Sequence, residues 1–135
     1  MPAPVLDAHA LMVFLEREDG FEKVKQCFAE ALALGDMLPM TVVNLGEVLY
    51  VVRREEGGKK ADEVEHAVQM LPIDVVDIDM ALTRVAARYK AAGGISYADS
   101  FAAALAHQRG RAVLTGDPEF AAVADDIPIE WLWNP

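Results

Sequence analysis

The sequence predicts an α/β domain built on a mainly parallel sheet. Short apolar stretches alternate along the chain with segments of helical periodicity, the pattern of strands joined by crossover helices. The 135 residues suffice for one core and are too few for two, so a single domain over residues 1–135 is expected. Apolar residues make up 53% of the chain, which argues against disorder.

The elements follow in order. Pro4-Val5-Leu6 is a short buried strand ending at Asp7, and Leu11, Phe14 and Leu15 then mark a first helix. Phe21 to Leu34 reads as a second helix, with Phe21, Val24, Phe28 and Leu32 at helical spacing and Gly35 as its stop. Met37 to Met40 is a second strand, in which Pro39 demands an edge or irregular position. Thr41 caps a third helix from Val42 to about Glu56, closed by Gly57-Gly58. Val42, Val43, Leu45, Val48, Leu49, Val51 and Val52 make that helix apolar almost all round, so it is expected to be largely buried.

Lys59 to Leu71 is a fourth helix with a solvated face of Asp62, Glu63 and Glu65, ended by Pro72. Ile73 to Ile78 is a third strand, and Asp79 opens a helix through Leu82, Val85, Ala86 and Tyr89 that stops at Gly93-Gly94. Ser96, followed three residues later by Asp99, starts an alanine-rich helix that runs to Arg109 and ends at Gly110. Ala112-Val113-Leu114 is a fourth strand, and Asp117-Pro118 has the form of an N-cap with Pro at N1. Ile129 to Trp133 alternates and reads as a closing edge strand, its tryptophans serving as core or edge cover.

Composition narrows the function. A net charge of −10 disfavours long-range attraction to nucleic acid or anionic membrane. It leaves room for clustered carboxylates that hold a divalent cation, and for a basic partner. The one cysteine, Cys27, lies in the second helix, reads as a small buried residue and fits a reducing, cytoplasmic setting. No signal peptide and no apolar stretch of membrane-spanning length is evident.

Four carboxylates then stand out. Asp7 and Asp117 each follow a strand, while Asp99 and Glu47 lie near the starts of helices. In parallel α/β sheets those positions share the carboxyl end of the strands, where ligands bind. The four converge if the first and fourth strands are neighbours. Each has a structural alternative: Asp7, Asp99 and Asp117 as helix caps or first-turn acids, and Glu47 as the partner of an Arg elsewhere. Glu47, in an apolar helix, must have a partner, hold a proton or open onto a site. Asn44, one turn earlier on the same face, is a candidate support. His9, two residues after Asp7, reads as a surface or capping residue within reach of a substrate or metal. Close carboxylates require a cation, and an oxygen-only set suits Mg²⁺ or Mn²⁺ over Zn²⁺. Its natural chemistry is phosphodiester hydrolysis, with the cation activating water and stabilising the leaving oxygen.

Val5-Leu6-Asp7, Asn44-Leu45-Gly46-Glu47, Ser96-Tyr97-Ala98-Asp99 and Leu114-Thr115-Gly116-Asp117-Pro118-Glu119-Phe120, in this order and spacing, resemble the motifs of PIN-domain proteins. Within that family the chain is most similar to the VapC-type toxins of prokaryotic toxin–antitoxin pairs. The resemblance spans nearly the whole chain. It implies a three-layer α/β/α sandwich, Mg²⁺- or Mn²⁺-dependent cleavage of RNA, a homodimer, and neutralisation by a small antitoxin protein. It also implies an acidic metal site of Asp7, Glu47, Asp99 and Asp117, supported by a hydrogen bond from Thr115. Ala8 and His9 depart from the small hydroxyl or amide residues usual after the first Asp, which bears on rate and metal preference.

The basic group Arg53, Arg54, Lys59 and Lys60 is a candidate for RNA contact, or equally a solvated helix end. Two rival functions stand beside the nuclease. One is a catalytically weak or inactive PIN-like binding module that acts through a protein partner. The other is a receiver-like phosphoacceptor, disfavoured because Asp7 has no acidic neighbour.

Overall fold

A computed structural model describes residues 2–133. Five strands, β1 (Val5–Leu6), β2 (Leu38–Thr41), β3 (Ile73–Val76), β4 (Val113–Thr115) and β5 (Ile129–Trp131), pair in parallel throughout. Six helices intervene: α1 (Ala8–Glu16), α2 (Phe21–Leu34), α3 (Val42–Glu56), α4 (Gly58–Gln69), α5 (Met80–Ala92) and α6 (Tyr97–Arg109). A 3₁₀ turn, Pro118–Val123, follows β4.

Local signals account for most boundaries. Gly35 and Gly110 take the left-handed conformation that closes α2 and α6. Thr41, Asp79 and Ser96 each accept a first-turn backbone N–H, at Asn44, Leu82 and Asp99. The strand segments are shorter than their apolar runs. β3 stops at Val76 because the chain must turn out for Asp79 to cap α5. β5 stops at Trp131, and the Trp133 indole instead donates to the Gly116 carbonyl at 2.9 Å.

The sheet has two hydrogen-bonded parts, β1-β4-β5 and β2-β3, with β1 packed beside β2. Pro39 explains the break. Leu38 donates its N–H to Pro72 on the β3 side at 2.8 Å. Strand amides alternate sides, so the Pro39 nitrogen faces β1 and has no proton to offer there.

Alternation along the inner strands creates two cores. Leu6 and Leu114 join Leu11, Val24, Phe28, Val48 and Val64 on one face of the sheet. Val5 and Val113 join Leu82, Phe101, Leu105 and Phe120 on the other. Helices therefore cover both faces, giving three layers. Helix α6 is buried without interruption from Asp99 to Ala106. Ala102, Ala103 and Ala104, each fully buried, let it fit between α5, α3 and the strands, because their small side chains allow close approach.

The third helix is less buried than its composition suggests. Only Asn44, Val48 and Val52 are fully buried, while Val42 and Tyr50 are exposed. These three share one i, i+4, i+8 stripe, which is the side the neighbouring elements cover. Exposed Tyr50 carries the Arg54 guanidinium 5.5 Å over its ring. Cys27 is buried, and burial followed by the nearby Glu130 carboxylate pushes its thiol up to about 12, so it stays protonated.

Close packing around α6 predicts that Ala103→Leu destabilises the fold by about 1–3 kcal/mol. Urea unfolding should show a lower midpoint at unchanged slope. An unchanged midpoint would mean that the helix has room its burial does not indicate.

Candidate active site

The carboxyl ends of β1, β2 and β4 meet the N-termini of α1, α3 and α6 at one edge of the molecule. Asp7, the residue after β1, is fully buried. Its Oδ1 accepts the Ala10 N–H at 2.7 Å, and its Oδ2 accepts the Thr115 hydroxyl at 2.5 Å. Asp7 is therefore a cap and a member of the acidic cluster at once. Thr115, at the end of β4, also accepts the Asp117 N–H at 2.9 Å, so one hydroxyl links two of the acidic residues.

Asp99 is brought in by the capped start of α6, where its N–H donates to Ser96 Oγ at 3.2 Å. Asn44 lies apart from the carboxylates. Its side chain accepts the Thr41 hydroxyl and donates to the Ala98 carbonyl at 3.0 Å, tying α3 to the residue before Asp99. Glu47 sits in the second turn of α3, half-buried. Its Oε1 is buried with no hydrogen-bond partner among the described residues. Asp117 caps the 3₁₀ turn by accepting the Glu119 N–H at 2.9 Å.

A cavity of about 330 Å³ opens here, lined by Glu47, Asp99, Asp117 and Glu119 together with Ala8, His9, Met12 and Ser96. Three of the four carboxylates singled out in the sequence reach its wall, and Asp7 lies beneath with both oxygens engaged. Glu119 is the addition. One oxygen from each of Asp99, Asp117 and Glu119 falls within 4.8 Å of the other two. The Asp-Pro-Glu spacing was the available signal, since a turn started by Pro118 carries the acid at 119 back beside the one at 117. Arg53, Arg54, Lys59 and Lys60 do not line the cavity. They occupy the exposed α3–α4 corner, where Arg54 pairs with Glu55 at 3.7 Å and Lys60 with Glu63 at 4.0 Å.

The carboxylates oppose one another's ionisation. Burial raises Asp7 to about 8, against the lowering effect of its Thr115 and Ala10 hydrogen bonds, and the charges of Asp99 and Asp117 add to the rise. Asp99 is raised to about 7 by burial and then by Asp117, with Glu47 contributing and Ser96 opposing. Glu47 is raised by burial and by the charge of Asp117. Such a set needs protons or a cation. Its donors are all hard oxygens and Glu47 Oε1 lacks a partner, so the residues present fit a small divalent ion.

Comparison with known proteins bears on the family and the fold. The family model of the PIN domain matches residues 5–126. No curated protein matches the sequence. Among solved structures, the DNA-bound VapBC of Salmonella typhimurium superposes with a TM-score of 0.76 at 17% identity, covering 98% of this chain and 100% of that one. VapBC2 of Rickettsia felis, bound to a promoter DNA fragment, gives 0.71 at 14% identity, covering 93% and 96%. VapC20 of Mycobacterium tuberculosis, a sarcin-ricin loop cleaving toxin, gives 0.68 at 15% identity, covering 88% and 93%. At these identities the likeness is one of fold.

The raised carboxyls carry a pH dependence. Unfolded aspartates release their protons near pH 4, whereas folded Asp99 and Asp7 hold theirs to about 7 and about 8. Between those limits the folded state binds more protons, so its stability falls as pH rises. In EDTA the melting temperature should drop from about pH 5 to about pH 8, and Mn²⁺ should raise it more at the upper end. A melting temperature that climbs across that window would refute the crowding.

Proposed function

Because the chain belongs to the PIN domain family, we propose that it is a divalent-metal-dependent endoribonuclease and the toxin of a VapBC-type toxin–antitoxin pair. The observation that carries this is the cavity where Glu47, Asp99, Asp117 and Glu119 converge above buried Asp7. Asp99, Asp117 and Glu119 would hold Mg²⁺ or Mn²⁺, with the partnerless Glu47 Oε1 as a further acceptor. When bound, the cation would supply Lewis acidity: it lowers the pKa of water, offsets phosphate charge and stabilises the leaving oxygen.

The chain's own residues perform the rest. Asp7, buried beneath the site, accepts the Thr115 hydroxyl, which orients it and also holds the Asp117 backbone in place. Ser96 and Asn44 set the position of Asp99 by fixing the first turn of α6. Val48, Val51 and Met12 make one wall apolar, which strengthens charge interactions inside the cavity. Arg53, Arg54, Lys59 and Lys60 are assigned to RNA backbone outside it, at the exposed corner. The unit of function would be a single domain over residues 1–135, a homodimer acting in the cytoplasm under control of a small antitoxin. What supports the pairing is likeness to solved VapBC complexes. No helix among the described residues is long and apolar enough to cross a membrane.

The test is cleavage of total cellular RNA by protein stripped of any copurifying partner, in Mg²⁺, Mn²⁺ or EDTA. Cutting should require metal. Asp99→Asn should reduce it by more than about 100-fold, and Thr115→Val by about 10- to 100-fold. Wild-type protein that neither cuts RNA nor binds Mn²⁺ would transfer the lead to the binding-module reading.

A further inference from the structure

Every charged side chain on the wall of the acidic cavity, apart from His9 if it is protonated, is a carboxylate. A phosphodiester entering such a space meets four acceptors that repel it. A cation can answer that repulsion, but a hydrogen-bond donor is also needed to hold one phosphate oxygen in a defined direction. Only two lining side chains, Ser96 and His9, can donate. Ser96 is the cap of α6, its Oγ accepting the Asp99 N–H at 3.2 Å, so its hydroxyl is held at the helix start beside Asp99. His9 is exposed and makes no side-chain hydrogen bond or ion pair with the described residues. In either tautomer its imidazole carries a donor N–H.

Its position is also set. The ring lies against Gly116 so closely that a Cβ there would fall 2.5 Å from His9 Cε1 and 3.0 Å from Nδ1. Gly116 is not in the left-handed region, so what glycine supplies here is space. The same residue is anchored at its carbonyl by the Trp133 indole, at 2.9 Å. It joins Thr115 to Asp117, so His9 rests on the strap that carries two residues of the site. Cε1 and Nδ1 are the ring atoms nearest the glycine, and the residue as a whole is exposed and lines the cavity.

We propose that His9 is a substrate-binding residue, held on the Gly116 strap to donate a hydrogen bond to an RNA phosphate oxygen in the acidic cavity. The proposal rests on the ribonuclease reading above and adds to it the group that orients the substrate.

The test uses the full chain and a short fluorescein-labelled single-stranded RNA of mixed sequence in Mn²⁺. Affinity is read by anisotropy, and turnover by KM and kcat. His9→Ala should weaken RNA affinity and raise KM about tenfold, with kcat, Mn²⁺ affinity and melting temperature near wild type. His9→Gln, which keeps a donor, should recover most of the loss. Gly116→Ala should weaken RNA affinity by displacing the ring, and should add little in a His9→Ala background.

Wild-type affinity and KM in His9→Ala would overturn the proposal. So would a parallel loss of Mn²⁺ affinity, which would make His9 a metal ligand, or wild-type protein that fails to bind the RNA. Anisotropy needs no turnover. Histidine-dependent RNA binding with neither cleavage nor Mn²⁺ binding in any arm would therefore overturn the nuclease reading and leave the binding role of His9 standing.

Discussion

Crowding of carboxylates at the carboxyl end of the sheet is the constraint around which the site is organised. A fully buried Asp7 beside Asp99 and Asp117 would be prohibitive without compensation. The compensation is local hydrogen bonding. Asp7 is satisfied by Thr115 and the Ala10 amide, Asp117 by the Glu119 amide, and the Asp99 amide by Ser96. Capping and site formation, which compete as explanations in the sequence, are here the same interactions. A cap holds a carboxylate at a helix start, and parallel topology gathers helix starts at one edge.

The rest of the fold serves that gathering. β1 and β4 must be hydrogen-bonded neighbours for Thr115 to reach Asp7, and their register sets Val5 opposite Val113 and Leu6 opposite Leu114. Helix α6 must press close enough to deliver Asp99, which its buried alanines permit. Asn44 then clamps α3 to α6 through the Ala98 carbonyl, so the helix carrying Glu47 cannot shift independently of the helix carrying Asp99. One buried amide thus relates two acidic residues without touching either. The far side of the molecule shows the complementary arrangement. Arg111, less than a quarter exposed, bonds the Ala3 and Met37 carbonyls and pairs with Asp36 at 3.3 Å, tying the entries of β1, β2 and β4 together.

The site shows a division of labour within a single charge type. Asp7 is fully buried, accepts one hydrogen bond on each oxygen and does not line the cavity. Glu47 differs: it is half-buried, it lines the cavity, and its Oε1 is buried without a hydrogen-bond partner among the described residues. Between them, Asp99 and Asp117 stand close enough that the charge of Asp117 helps to raise Asp99. Glu119 adds an exposed oxygen at the mouth. A graded path from exposed to buried acceptors suits an ion that arrives hydrated and exchanges only some of its waters.

What the sequence determined by itself was everything written within a few residues. Gly35 and Gly110 ended helices, Thr41, Asp79 and Ser96 began them, and the α2 and α3 limits fell where those signals stood. Alternation of strands and helices identified the parallel sheet and hence the edge where Asp7, Glu47, Asp99 and Asp117 would gather. Caps and periodicities act over one turn, so they are legible without a partner. Tertiary structure decided what depends on other segments. Burial of α3 along only one stripe reflects which neighbours cover it, and composition cannot register that. The early ends of β3 and β5 reflect the competing demands of Asp79 and of the Trp133–Gly116 bond. Asp7 lies under the cavity instead of in its wall because Thr115 arrives from β4 to occupy its second oxygen. Glu119 joins the group, and His9 settles on Gly116, because a 3₁₀ turn and a strap from the far end of the chain fold back over α1. The His9–Gly116 contact links residues about a hundred positions apart, and no local propensity encodes it.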